Sequence, residues 1–352
     1  MKLPSYQKAS WLIIVLIFFL NTGWATQKFC QLGDFQLENG EMIRDCQIGY
    51  RTFGKLNQHR TNAILYPTWF CGTSEHIGKL IGADKLVDST NFFIIAVDAL
   101  ANGISSSPSN SAQQPGELFP EISIRDMVNS QHRLLTWELG INHLHGIIGG
   151  SMGSMQVFQW LVSYPDFMDK AIAYVGTPRP SSYDLLIFET YLQLIQAGKK
   201  FYQPDSIILK NVRLVESLFA RSADHFVKHH PRESVPQFIS TFDRRPLATL
   251  TVDNWACQSQ AILNHDIFSE YNGSMAATAT IVKAEVLIIV ASTDHYVNPQ
   301  PALEFGKHLN CETLILDSNC GHLSVGCELQ SCATAISDFL NSTLPSNRRS
   351  SK

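Results

Sequence analysis

Three residue types in one chain order suggest what chemistry this sequence can do: Ser151, then Asp294, then His322. A serine hydroxyl is a poor nucleophile until an imidazole takes its proton. That imidazole must itself be held in one tautomer by a carboxylate. Ser151 stands in Gly149-Gly150-Ser151-Met152-Gly153, a G-x-S-x-G. Before it comes an apolar run, Leu144 to Ile148, that reads as a buried strand, and after it Met155 to Leu161 begins a helical pattern. Strand, sharp turn, helix is the setting in which this motif presents a nucleophile. The turn needs small neighbours, and it exposes the hydroxyl beside a helix N-terminus that favours developing negative charge. The competing reading is an ordinary glycine-rich connection.

Asp294 lies three residues beyond an apolar run that ends at Ala291, and His322 follows the run Thr313 to Leu316. Both positions are loops after strands, where an orienting acid and a general base belong. Asp317 is the rival acid, and a capping or turn role is the plain alternative for Asp294. His295 is a weak rival base, because adjacent side chains do not face each other. His225 and His229 have the i, i+4 spacing of a metal pair, but no carboxylate motif accompanies them and they read as a solvated helix face. Neither metal nor cofactor is expected: there is no C-x-x-C, no P-loop and no G-x-G-x-x-G after a strand. Charge developing on an acyl oxygen needs backbone donors. The amide of Met152 should be one. The second should come from the loop after Tyr66, with Trp69 preferred and Thr68 the alternative.

These residues must be positioned by an α/β architecture. Residues 29–55 alternate as strands, with turns at Glu38–Gly40 and Gly54. Short apolar strands follow at Ala63–Tyr66, Phe92–Val97, Leu144–Ile148, Ala171–Val175, Glu285–Ala291 and Thr313–Leu316. Helical patterns lie between them, including one from Ser123 to Gly140 capped by Ser123. Strands alternating with helices imply a mostly parallel, doubly wound sheet, with the site beyond the strands' carboxyl ends. From 178 to 280 the strand rhythm stops, and helices over 183–197, 207–226 and 235–242 read as an inserted cap. The loop Asp98–Asn110 reads as site lining. A core over 26–177 and 281–343, a cap over 178–280, a closing helix near 330–340 and a disordered tail over 344–352 complete the division.

Composition bounds the partners. Apolar residues make up 45% and charged residues 16%, with a net charge of −4, so nothing favours nucleic acid or an anionic membrane. The N-terminal 25 residues read as a secretory signal: Lys2 and Lys8, an apolar run from Trp11 to Leu20, and a small-residue site ending at Ala25. The run is shorter than the ~20 residues a bilayer span needs. Cleavage after Ala25 would leave a secreted or periplasmic protein without a stable membrane span. All eight cysteines follow that site, an even count that suits disulfides in an exported chain. Cys30 and Cys46 could staple the first hairpin, and Cys311, Cys320, Cys327 and Cys332 crowd the His322 region.

With these residues in hand, the chain resembles the homoserine O-acetyltransferase branch of the α/β-hydrolase superfamily. The resemblance rests on Gly149 to Trp160, Ile124 to Val128, Gln131 to Leu135, Leu139 to Ile141, Asp294 and Gly321-His322, and spans about residues 60–325. It implies the α/β-hydrolase fold, with Ser151, Asp294 and His322 as triad. Two departures alter the expected substrate. The transferases follow the catalytic histidine with an aspartate that holds the homoserine amine, whereas here Leu323 follows His322. They also carry an early cap arginine for the homoserine carboxylate, with no counterpart between Tyr183 and Gln196. Apolar side chains cannot replace the charge partners of a zwitterion. The expectation is therefore an exported hydrolase of small carboxylic esters. An O-acyltransferase is the first rival, and a non-catalytic binding module on the same fold is the second.

Overall fold

The computed structural model describes residues 25–244 and 250–343. Most of the expected signal segment and the expected tail over 344–352 lie outside the described residues. Eight strands form one sheet: β1 (Lys28–Gln36), β2 (Met42–Phe53), β3 (Ala63–Pro67), β4 (Phe93–Val97), β5 (Leu144–Gly150), β6 (Met168–Tyr174), β7 (Glu285–Ala291) and β8 (Glu312–Leu316). Their order is β1-β2-β4-β3-β5-β6-β7-β8. The β1–β2 and β2–β4 pairs are antiparallel, and every pairing from β4 and β3 onward to β8 is parallel.

The parallel strands read as unbroken apolar runs because both faces of the sheet are covered. Ile147 of β5 belongs to the core on one face, together with Met155, Phe158 and Phe305. Its neighbour Ile148 packs with Tyr66, Ile77, Ile336 and Phe339 on the other. The covering helices are α1 (Ser74–Gly78), α2 (Ile124–Arg133), α3 (Met152–Ser163), α10 (Gln300–Leu309), α11 (Ser324–Cys327) and α12 (Leu329–Asn341). Between β6 and β7 the chain runs through α4 (Ser182–Lys200), α5 (Asp205–Phe219), α6 (Ala223–His229), α7 (Val235–Arg244), α8 (Val252–Leu263) and α9 (Met275–Ala279).

Ser123 caps α2 as the sequence suggests, its hydroxyl accepting from the Asp126 amide while Asp126 reaches back to the Ser123 amide. The α-helix stops at Arg133, though, and a wider π-type turn over Leu134–Glu138 follows. A second departure matters more to the site. The helix expected over 207–226 breaks after Phe219, because Ser222 starts α6: its hydroxyl accepts from the His225 amide and donates to the Asn319 carbonyl.

The expected Cys30–Cys46 staple is not formed. Both thiols are buried and free, since Cys30 faces Ile48 across the ladder while Cys46 faces Gly33. The hairpin register itself keeps the two apart along the ladder, so they do not stand opposite each other. Among the four late cysteines, Cys320 and Cys327 form a close pair, whereas Cys311 and Cys332 are free.

Candidate active site

The nucleophile elbow is built by steric necessity. Ser151 links β5 to α3 with φ 55° and ψ −125°, a conformation costly for a residue with a side chain. The turn closes only around glycine: a methyl on Gly149 would come within 2.3 Å of the Gly153 carbonyl oxygen. The Ser151 amide donates to the Tyr174 carbonyl at 3.0 Å, which anchors the turn to the neighbouring strand.

His322 bridges the other two residues. Its Nε2 lies 2.9 Å from Ser151 Oγ, and its Nδ1 lies 2.8 Å from Asp294 Oδ2. The second carboxylate oxygen of Asp294 accepts from the amides of Tyr296 and Val297 at 2.9 and 3.0 Å, which fixes its rotamer. Both residues are buried. Burial is the largest influence on the His322 imidazole and lowers its pKa. The charge and hydrogen bond of Asp294, with Glu216 and Asp184 further off, outweigh it and leave the pKa above its ordinary value.

The His322 loop is bolted on several sides. The Gly321 amide donates to Thr293 Oγ1 at 3.2 Å, and Ser324 Oγ donates to the Gly321 carbonyl at 2.7 Å. Gly321 has φ +63°, and a methyl there would stand 2.8 Å from Arg221 Cα, so the loop can lie against the α5–α6 joint only as glycine. The close pair of Cys320 and Cys327 brackets His322 in the sequence.

The rival residues stand apart from this arrangement. Asp317 is exposed and accepts from Ser292 Oγ at 3.1 Å. His295 is exposed. His225 and His229 stack on each other with ring centroids 4.0 Å apart, and His225 Nδ1 is 3.5 Å from Cys320 Sγ. Among the described residues, no three His, Cys, Asp or Glu side chains gather as metal ligands.

The Trp69 and Met152 amides have no hydrogen-bond acceptor among the described residues, and both flank Ser151. The Thr68 amide, the alternative donor, is committed to the Val97 carbonyl at 3.0 Å. Ser151 and His322 open onto a pocket of about 650 Å³ whose walls include Trp69, Phe70, Tyr174, Val175 and Tyr296. Glu216 and Arg221 also line it, brought there by α5 and the joint after it. Sequence reasoning missed both, because nothing in helix periodicity says which turn of a cap helix overhangs a site. The loop Asp98–Asn110 does not line the pocket. Ser105, Ser106 and Ser107 are buried, and the hydroxyls of Ser105 and Ser106 accept from the Gly49 and Gln47 amides at 2.9 Å, so the loop is a polar plug against β2.

A family profile described as alpha/beta hydrolase fold matches residues 71–326. The chain is 31% identical over 310 residues to an ethyl acetate hydrolase of Pseudomonas veronii, covering 84% of this chain and 88% of that one. It is 28% identical over 353 residues to a homoserine O-acetyltransferase of Methanosalsum zhilinae, covering 88% of this chain and 71% of the other. Among solved structures, an acetylester hydrolase from Corynebacterium glutamicum superposes with a TM-score of 0.82 at 26% identity, over 90% of this chain and 96% of that one.

Proposed function

We propose, from the premise that this chain belongs to the α/β-hydrolase fold family, that it hydrolyses small carboxylic esters, acetyl esters first among them, through Ser151. The observation that carries the reading is the position of His322, within hydrogen-bond reach of both Ser151 Oγ and Asp294 Oδ2. The names of relatives that act on ethyl acetate and acetyl esters support the acyl group.

In this reading Ser151 Oγ attacks the acyl carbon while its proton passes to His322 Nε2. Asp294 accepts the Nδ1–H and offsets the imidazolium charge. The Trp69 and Met152 amides take the oxyanion. The C–O bond to the alcohol breaks, and His322 returns the proton to the leaving alcohol. Water, deprotonated by His322, then attacks the acyl carbon; the bond to Ser151 Oγ breaks, His322 returns the proton to Ser151 Oγ, and the carboxylic acid leaves. No metal or cofactor enters any step.

Glu216 and Arg221 in the pocket wall favour one second reading, an O-acyltransferase whose acceptor carries polar groups. One experiment separates the two: turnover of p-nitrophenyl acetate with and without L-homoserine, with mass spectrometry of the products and Ser151→Ala as control. Free acetate unaffected by homoserine is the expected result. O-acetylhomoserine as main product establishes the transferase, and full activity in Ser151→Ala removes the serine mechanism.

The reading extends to compartment. Residues 1–25 act as a cleaved export signal, and Cys320–Cys327 is oxidised outside the cytosol. The intact mass of the exported protein tests both at once. A chain that keeps residues 1–25, or whose every thiol alkylates without reduction, would overturn this part.

A further inference from the structure

An amide can serve the oxyanion only if its N–H is aimed, and the peptide that carries the Trp69 N–H has a second handle. A trans peptide is planar, so its carbonyl and N–H point in opposite directions. Whatever grips the Thr68 carbonyl therefore aims the Trp69 N–H. That carbonyl accepts from Nε2 of Gln156 at 3.0 Å. The same nitrogen donates its other proton to the Met152 carbonyl at 3.1 Å, one turn back on α3. Gln156 thus ties the loop bearing one donor to the helix turn bearing the other.

Two further side chains set the polarity of that grip. An indole N–H can only donate. Trp160 Nε1 donates to Gln131 Oε1 at 2.9 Å, so Gln131 must turn its nitrogen to Gln156 Oε1, 2.5 Å away. Gln156 is then left with its nitrogen facing Thr68. Met152, Gln156 and Trp160 follow one another at single-turn spacing on one face of α3. Gln131, Gln156, Trp160 and Thr68 are all essentially inaccessible to solvent. Reversing any amide in such a relay would leave a buried donor facing a donor.

We infer that Gln156 is a positioning residue for the oxyanion site, held in its orientation by Gln131 and Trp160. The inference rests on Ser151 being the nucleophile. It does not make Gln156 catalytic, since the residue acts only through the Thr68–Trp69 peptide.

The test uses the full chain in three variants, Gln156→Glu, Gln156→Met and Trp160→Phe. Each is read by p-nitrophenyl acetate kinetics and by inhibition with a trifluoromethyl ketone, whose hemiketal adduct carries the oxyanion that the site must hold. The expected result for both Gln156 variants is a kcat lower by about 10- to 100-fold at nearly unchanged KM, with inhibition weakened by a similar factor. Trp160→Phe, which deletes the polarity-setting N–H but also leaves a cavity in the core, should show the same pattern more weakly in protein shown by thermal melting to be folded. A folded Gln156→Met protein with wild-type kcat and inhibition overturns the inference, as does a loss confined to thermal stability. Should Ser151→Ala keep its activity and the wild type form no ketone adduct, the serine reading itself falls, and this inference with it.

Discussion

Gly153 and the Pro67 carbonyl oxygen meet across the elbow: a methyl added at Gly153 would stand 2.7 Å from that oxygen. The contact joins the first turn of α3 to the loop that carries Trp69, so the spacing between the two candidate oxyanion donors depends on one missing side chain. Gly153→Ala must push that loop or the helix aside. The expected outcome is a kcat for p-nitrophenyl acetate lower by roughly 10²-fold, the loss associated with one misplaced donor. Thermal melting separates this from unfolding: a folded Gly153→Ala protein with unchanged kcat would show that the two segments do not hold the site.

The acid limb of the activity profile follows from the environment of His322. The base must be neutral to accept the Ser151 proton. Its pKa is raised by Asp294, with Glu216 and Asp184 adding to it, against the opposing pull of burial. Activity should therefore climb with pH through a midpoint above that of an ordinary imidazole. Asp294→Asn removes the main raising influence and leaves burial, so the midpoint should move down while kcat falls by up to about 10⁴-fold. An acid limb that stays in place in Asp294→Asn would mean that another group governs it.

That Ser151, Asp294 and His322 come together was readable because each candidate is a motif-bearing residue at a fixed place, the loop after a parallel strand. Ser151 sits in its glycine turn, and Asp294 and His322 follow the last two strands, so chain order alone brings them together. The sheet was readable for a related reason: strands buried on both faces write themselves as apolar runs. What depends on register or on helix rotation was not readable. Cys30 and Cys46 look paired by spacing, yet the ladder register sets Cys30 opposite Ile48 and Cys46 opposite Gly33. Glu216 reaches the pocket from α5, and Arg221 from the joint that precedes Ser222. The Gln131–Gln156–Trp160 relay joins two helices through buried amides, and amides in a helical pattern read as ordinary polar positions until their partners are seen.

The proposed Cys320–Cys327 disulfide would enclose His322 in a short ring, and Cys327 also lines the pocket. Opening so short a loop should cost roughly 2–3 kcal/mol of stability through the freer unfolded chain. Hydrogen bonds from the Gly321 amide to Thr293 and from Ser324 to the Gly321 carbonyl remain, so the catalytic loss should be partial. Treating the wild type with dithiothreitol should lower kcat more than it changes KM, and Cys327→Ser should show the same kinetics without reductant. Further loss when Cys327→Ser is reduced would assign the effect to other sulfurs.

His265 sets the acid side of the stability profile in the opposite sense to His322. It is fully buried, and among the described residues its Nε2 has no hydrogen-bond partner. Burial is the main cause that lowers its pKa to about 3 from an ordinary 6.5. The folded state thus holds His265 neutral where the unfolded chain would protonate it. Its contribution is fully present above pH 6.5 and is lost progressively as pH falls toward about 3. His322, with its raised pKa, contributes most below its unfolded value and loses that contribution as pH rises through the folded one. Replacing His265 by leucine removes the first dependence and leaves the second. The midpoint of urea unfolding should then fall less between pH 7 and pH 4 in His265→Leu than in the wild type, whatever the variant's stability at neutral pH. Parallel curves for the two proteins would show that His265 is protonated in the fold or already desolvated in the unfolded chain.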